Sequence, residues 1–159
     1  MPPPVPSANA GTSLQLQHLT PTSTTCLRLA QLLPYYRWQY NIYFDSFFSN
    51  ITLFATLRGL GIGAYGTACK NQVPAELQEY DHDHPKPEWN DLASVSHNNV
   101  LCMRWQDNAR VFMMTTIHDL NDGVVTNRRR SRKGIPAVRK VFGEDIRKLL
   151  TIPLIIVRK

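Results

Sequence analysis

Asp45 is a candidate for metal-binding chemistry because of where its neighbours in the sequence place it. It follows residues 40–44, an aromatic and β-branched run that predicts a short buried strand. Apolar residues then recur at helical spacing over 47–60, which predicts a helix. A carboxylate at the carboxyl end of a strand in an open α/β sheet is held in place while it faces solvent. Two interpretations stay open: Asp45 is a metal ligand, or with Ser46 it caps the helix that follows.

A second cluster, Asp81-His82-Asp83-His84, contains residue types that bind zinc or nickel. Alternate residues of an extended segment point to opposite sides, so only two of these side chains converge. Pro85 also restricts His84 to an extended conformation. We therefore expect a solvated loop inside the polar stretch 70–99, with adventitious metal binding as the alternative.

A third cluster is cationic. Five cations occur within six residues, and we take them as the candidate DNA-binding residues: Arg128, Arg129, Arg130, Arg132 and Lys133. Such a run repels itself, so we expect it to be exposed and flexible. Three roles remain open, namely contact with nucleic-acid phosphates, a nuclear-import signal, and a loop that is merely solvated.

The elements that must position these residues alternate between helix and strand. This alternation favours an α/β layer with a parallel component. Trp105 lies in an expected hairpin and is a core residue or, alternatively, a platform for a stacked base. We expect helices over 26–33, 47–60 and 141–150, strands over 40–44 and 64–69, and a β-hairpin from 100–105 and 110–117.

The composition indicates one basic domain. A chain of 159 residues with 43% hydrophobic content is long enough to form a core, and its net charge of +6 favours nucleic acid among anionic partners. The three cysteines form no metal-type pair, so we expect free thiols in the nucleus or cytoplasm. We expect no membrane segment and no secretion, because no apolar run is long enough and the start does not resemble a signal peptide.

Several motifs, in order along the chain, resemble those of piggyBac-type transposases. Residues 45–49 (Asp-Ser-Phe-Phe-Ser) resemble the family's Asp-Asn-Phe-Phe-Thr, with Ser46 in place of Asn. Residues 66–71 (Gly-Thr-Ala-Cys-Lys-Asn) are similar to its Gly-Thr-Val-Arg-Lys-Asn, with Cys69 in place of a cation. Residues 105–118 resemble its Trp-x-Asp, Arg-x-Val and Ser-Thr-x-His hairpin.

This resemblance implies an α/β fold that is part of a ribonuclease H-like domain, a mixed sheet with helices, carrying a β-rich insertion. We expect a disordered Pro/Ser/Thr-rich N-terminus over 1–25 and a partial core over 26–72. The insertion, with its hairpin and basic loop, then spans 73–142, and 143–159 is a truncated return to the core.

The resemblance also assigns a role to Asp45, as the second of three catalytic carboxylates. In the family these carboxylates hold Mg²⁺ or Mn²⁺ for cleavage and transfer of DNA strands. The first lies on an earlier strand, yet no Asp or Glu precedes Asp45 here. The third belongs to a Met-Gly-Gly-Val-Asp helix expected just past Pro153, and no acidic residue of this chain lies in that motif. We therefore expect no functionally bound metal.

The favoured function is that of a transposase-derived remnant that is inactive alone and binds DNA weakly through phosphates. One alternative is a truncated version of an active DNA transposase with metal-dependent strand cleavage and transfer, so enzymatic activity stays open. Another is a small basic nuclear interaction module. The exposed edges of a partial sheet would also allow the chain to form oligomers.

Overall fold

A computed structural model describes residues 19–84, 87–88, 90–107 and 109–119, together with the backbone of 123–129 and 147–153. The described helices are α1 (Pro21–Gln31), α2 (Ile51–Gly59) and α3 (Ala75–Asp83), with a 3₁₀ turn at Lys70–Gln72. The described strands are β1 (Asn41–Phe44), β2 (Gly63–Ala68), β3 (Leu92–His97), β4 (Val100–Gln106), β5 (Arg110–Thr115), β6 (Gly123–Arg129) and β7 (Arg147–Pro153).

Five of these strands form one mixed sheet in the order β1-β2-β5-β4-β3. β1 and β2 run parallel, and the other neighbouring strands run antiparallel. β6 and β7 form a separate antiparallel pair. The expected parallel component and the expected β4–β5 hairpin are both confirmed. The predicted boundary between core and insertion after residue 72 stays a prediction, and β3, β4 and β5 continue the sheet that β1 and β2 begin.

Helix starts differ from the sequence prediction because capping residues set them. α1 begins at Pro21, where the Thr20 side chain accepts a hydrogen bond from the Ser23 N–H, and not at residue 26. α2 begins at Ile51 and not at residue 47, because the Asn50 side chain accepts from the N–H groups of Thr52 and Leu53. Residues 21–25, expected to be disordered, are therefore helical.

The end of α2 follows the usual glycine motif. Gly61 adopts a φ of +76°, its N–H donates to the Arg58 carbonyl, and the Ile62 N–H donates to the Leu57 carbonyl. These two bonds satisfy carbonyls that the last helical turn would otherwise leave unpaired. Leu57 and Ile62 are both buried, so the turn into β2 also closes over the core.

Two stretches differ from the prediction in kind. The polar stretch 70–99, in which we expected a solvated loop at residues 81–84, contains α3 and β3, because residues 75–80 are good helix formers and β3 pairs along its whole length with β4. The helix expected over 141–150 is wrong for 147–150, which lie in β7. Residues 141–146 lie outside the described part of the chain.

The two faces of the sheet carry separate apolar clusters, as strand alternation requires. The larger cluster packs the three helices against the sheet and includes Leu27, Phe54, Leu57, Leu77 and Met114. The smaller lies on the opposite face and contains Tyr65, Met103, Trp105 and Met113. Each fully buried large side chain contributes about 1.5–3 kcal/mol to stability. Among the described residues no helix is long and apolar enough to span a membrane.

Candidate functional site

Asp45 lies in a tight turn between β1 and α2. The N–H groups of Phe48 and Ser49 donate to its carbonyl at 3.0 and 3.1 Å, and the Ser49 hydroxyl donates to the same oxygen at 3.1 Å. Ser49 is fully buried, whereas the Asp45 side chain faces solvent. These hydrogen bonds hold the backbone of the turn, while the Asp45 carboxylate remains accessible to solvent. Asp45 does not cap α2, since Asn50 fills that position, so the helix-cap interpretation is wrong.

Gly66 explains how the turn can sit so close to the sheet. It lies opposite Phe44 in the β1–β2 register. A Cβ added at Gly66 would meet the Phe44 carbonyl oxygen at 2.5 Å and the Ser49 Oγ at 2.6 Å. Only glycine leaves room for this approach, so the glycine of the 66–71 motif supports the Asp45 turn directly.

The pKa of Asp45 lies below its ordinary value, chiefly because the Ser46 hydroxyl donates to its Oδ1 at 2.8 Å. The N–H groups of Ser46 and Phe47 lower the pKa further. Asp45 is thus ionised at neutral pH, and its carboxylate already accepts hydrogen bonds from neighbouring groups of the same turn. The Cys69 Sγ lies 4.0 Å from the Ser46 carbonyl oxygen, so the end of β2 adjoins the same turn.

The donors around Asp45 do not fit a two-metal centre. Within the described residues no group of three or more His, Cys, Asp or Glu side chains is arranged to hold a metal ion. The side chain that bonds to the Asp45 carboxylate is the Ser46 hydroxyl, which is not a second carboxylate. Clamping two divalent ions about 4 Å apart requires several carboxylates. The assignment of Asp45 as a catalytic metal ligand remains a prediction.

Asp81, expected in a solvated loop, is instead buried on α3. Its carboxylate accepts from Lys70 Nζ at 2.7 Å, Arg104 Nε at 3.0 Å and Arg110 Nη1 at 3.1 Å. The loop prediction is wrong here because residues 75–83 form a helix and these three cations lie on the elements packed against it. Burial raises the pKa of Asp81, but the hydrogen bonds from Lys70 and Arg104 outweigh it and the net shift is downward.

A second carboxylate completes the ionic cluster. The Asp91 Oδ2 accepts from Arg104 Nη1 at 2.8 Å, and the Arg104 guanidinium lies 5.6 Å from the centre of the Tyr80 ring. Both the Arg104 and Asp81 side chains have 0% exposure. The His84 ring stacks on the Tyr80 ring, with the two ring centres 4.1 Å apart. Asp81 and His84 of the Asp-His motif therefore have structural contacts.

Asp119, another acidic residue, lies at the other end of the sheet from Asp45. It lines a polar cavity of about 470 Å³ together with Arg58, Thr116 and His118. β5 is antiparallel to β2 and Thr115 lies opposite Tyr65, so residues after Thr115 extend beyond the start of β2. Asp45 follows the end of β1, which is the opposite end because β1 and β2 are parallel.

The core interpretation of Trp105 in the β4–β5 hairpin is confirmed. Trp105 has 1% exposure, and its Nε1 donates to the Asn90 Oδ1 at 2.9 Å, which rules out base stacking by this ring in the described fold. All three cysteines are free, as expected. Burial raises the pKa of the Cys102 thiol to about 12, so this residue is a packing group at neutral pH.

The basic run falls partly within β6. Arg128 and Arg129 are its last two residues and lie opposite Lys148 and Arg147 in the β6–β7 register. The expectation of a flexible segment is therefore wrong for these two residues. The other three candidates, Arg130, Arg132 and Lys133, lie outside the described residues. The sequence prediction missed Arg147 and Lys148, because their position opposite the run appears only once β7 is known.

Comparisons with known proteins place this arrangement in a family. A family model described as transposase IS4 matches residues 4–148. No curated protein matches the chain. A cryo-EM structure of a piggyBac transposase synaptic complex with hairpin DNA matches with a TM-score of 0.52 at 16% identity. The match covers 70% of this chain and 24% of that one, so the chain spans about a quarter of that transposase.

The structural likeness concerns the fold, since the identity is low. The five-stranded mixed sheet with its helices is similar to the transposase and is compatible with a ribonuclease H-like fold. The family model covers most of the chain, including the Asp45 turn and the Gly66 strand that supports it. The chain therefore belongs to the piggyBac-type transposase family.

Proposed function

We propose that this chain is a transposase-family domain that binds the phosphate backbone of DNA through the cationic end of β6–β7 and does not cleave DNA by itself. The observation that carries the proposal is the register of that pair. Arg128 lies opposite Lys148, and Arg129 lies opposite Arg147, so four cations share one end of the two-stranded pair.

Cross-strand neighbours of like charge destabilise an antiparallel pair. Bound anions would relieve this repulsion, and DNA supplies a phosphate charge about every 1.7 Å along its axis. Arg130, Arg132 and Lys133 follow directly in the sequence and add to the local charge. The net charge of +6 supports the same class of partner, and the matched transposase structure contains hairpin DNA.

We infer that the chain does not cleave DNA from the partners and positions of the described carboxylates. Asp81 accepts from three cations and Asp91 from Arg104, so both are held in the ionic cluster. Asp119 lies at the opposite end of the sheet from Asp45. Phosphoryl transfer with two metal ions needs both ions fixed about 4 Å apart, and Asp45 alone cannot fix them. The alternative of an active transposase requires further carboxylates to join Asp45.

The DNA-binding part is tested by measuring the affinity of the whole chain for duplex DNA at several salt concentrations. Removing one cation that neutralises a phosphate should reduce the slope of log K against log [salt] by about 0.9. Replacing all five residues of the basic run with Ala should therefore flatten the slope by several units. The double variant Arg147→Ala/Lys148→Ala should flatten it by about two units, with no change in sequence preference.

The matched control is Arg28→Ala, an exposed cation on α1. It removes the same kind of charge about a hundred positions before the basic run in the sequence, so its slope should equal that of the wild type. Equal slopes for the wild type and the five-residue variant would contradict the proposed interface. No salt-dependent DNA binding at all would favour the interaction module.

A further inference from the structure

The polar cavity at the end of the sheet opposite Asp45 has no part in the function proposed above. It has a volume of about 470 Å³, and the residues that line it include Arg58, Thr116, His118 and Asp119. Sites for small molecules have volumes of about 300–1,000 Å³, so a compact metabolite fits in this space. The cavity is therefore large enough to be a binding site separate from the Asp45 turn.

The wall that follows β5 is held in place by side-chain hydrogen bonds. The Thr115 Oγ1 accepts from the N–H groups of Ile117 and His118 at 3.0 and 3.3 Å. The Thr116 Oγ1 accepts from the Ala64 N–H at 2.9 Å, which ties this wall to the start of β2. Thr115 is fully buried. These bonds give the Thr-Thr-Ile-His part of the hairpin motif a structural reason, because they shape the cavity.

Arg58, in the last turn of α2, supplies the cation of the cavity. Its Nη1 donates to the carbonyl oxygens of Asn99 at 3.2 Å and Thr116 at 3.3 Å. Carbonyl groups hold a guanidinium in position without neutralising its charge. Arg58 forms no ion pair with any carboxylate among the described residues.

The position of these two bonds decides which edge of the Arg58 guanidinium can bind a ligand. Both bonds use Nη1, and among the described residues Nε and Nη2 have no hydrogen-bond acceptor. The Nε–Nη2 edge of an arginine carries two parallel N–H groups, whose spacing matches two oxygens of a phosphate or carboxylate. Arg58 is therefore arranged to bind an oxyanion through this edge.

The other polar groups of the cavity restrict what the rest of the ligand can be. Asp119 also lines the cavity and disfavours a ligand that is anionic throughout. A carboxylate accepts hydrogen bonds from hydroxyl groups, as in the recognition of ribose. Ser96, Leu101 and Thr115 lie side by side across β3, β4 and β5, and Ser96 adds a hydroxyl to the lining. The matching ligand has one anionic group and several hydroxyl groups.

We propose that the cavity binds a small phosphorylated sugar, with its phosphate on the Nε–Nη2 edge of Arg58 and its hydroxyl groups on Asp119 and Ser96. A phosphate monoester carries nearly two negative charges, so it gains more than a carboxylate from a guanidinium that no described carboxylate neutralises. The site uses none of the cations of β6 and β7 and is independent of the proposed DNA interface.

The proposal is tested by isothermal titration calorimetry of the full chain with ribose 5-phosphate, ribose and inorganic phosphate. Ribose 5-phosphate should bind at least about tenfold more tightly than either of the other two probes, because only it contacts both Arg58 and Asp119. A 5′-phosphorylated oligonucleotide carries the same chemical group at the end of a strand. Binding of that oligonucleotide through Arg58 without binding of ribose 5-phosphate would overturn the assignment to a small ligand.

Variants of the two charged residues test their separate roles. Arg58→Gln should weaken the binding of ribose 5-phosphate about tenfold or more, because it removes charge-assisted hydrogen bonds. Arg58→Lys keeps the charge without the paired N–H groups and should give an intermediate affinity. Asp119→Asn should weaken ribose 5-phosphate but not inorganic phosphate. Arg28→Gln, at an exposed cation of α1 outside the cavity lining, is the matched control and should bind like the wild type.

Arg58→Gln also changes the bonds to two backbone carbonyls, so thermal unfolding of each variant accompanies the titrations. If Arg58→Gln does not fold, Arg58→Lys and Asp119→Asn still test the site. Two results would overturn the proposal: no binding of ribose 5-phosphate by the wild type at millimolar concentration, or equal affinities for the wild type and a folded Arg58 variant. Equal effects of Asp119→Asn on ribose 5-phosphate and inorganic phosphate would overturn the role of Asp119.

Discussion

Asp81 and Arg104 show how a polar residue can be mistaken for a surface residue. Both side chains are fully buried and bonded to each other, yet they are 23 positions apart in the sequence. Lys70 and Arg110, the other cations on Asp81, lie 11 and 29 positions away. No local pattern connects such residues, so burial of Asp81 was not predictable. The adjacent His82 is exposed, as the sequence suggested.

We expect Asp81→Asn to lower the free energy of unfolding by about 3 kcal/mol at neutral pH, because it leaves the buried Arg104 charge underpaired. Asp83→Asn, on the same helix but with 71% of its side chain exposed, should change it by less than about 0.5 kcal/mol. Urea unfolding of both variants measures the difference. Equal effects would contradict a structural role for the cluster.

The pH dependence of the same variant has a definite sign. The folded pKa of Asp81 is lowered, so its contribution to stability is fully present above the ordinary aspartate pKa of about 3.9 and is lost as pH falls through the folded value. Wild-type stability should therefore decline on acidification below about pH 4, and Asp81→Asn should decline less steeply. A wild type and variant with parallel profiles would contradict this sign.

At the scale of elements, caps rather than apolar spacing decide where helices begin. Thr20-Pro21 and Asn50 are signals that the sequence contains, and both helix starts follow them. The apolar spacing over 47–60 was misleading because Phe47, which it includes, is exposed in the turn. The strands over 40–44 and 64–69 were predictable because their aromatic and β-branched content is local.

We expect Asn50→Ala to destabilise the chain by about 1 kcal/mol, because two amides of α2 lose their acceptor. Asp45→Ala, five residues earlier, removes a carboxylate that accepts from exposed groups and should have a smaller effect. Thermal unfolding with helix content followed by circular dichroism compares them. A larger loss in Asp45→Ala would restore the helix-cap interpretation of that residue.

At the scale of the molecule, the sequence predicted the α/β class and the β4–β5 hairpin, but not the order β1-β2-β5-β4-β3. That order joins strands from both sides of the predicted boundary after residue 72, and such long-range pairing leaves no periodic signal. β7 was missed for the same reason, and with it the two cations opposite Arg128 and Arg129. The Asp45 motif itself was identifiable because its turn is local.

The central claim is that this transposase-family chain binds DNA without cleaving it, and a nicking assay on supercoiled plasmid tests that claim most directly. The assay uses the full chain at concentrations that bind DNA, with Mg²⁺ or Mn²⁺, beside Asp45→Asn. We predict no nicked or joined product from either protein, because no group of carboxylates among the described residues is arranged with Asp45 to fix two metal ions. Metal-dependent nicking by the wild type that disappears in Asp45→Asn would contradict the claim and identify Asp45 as part of a working active site.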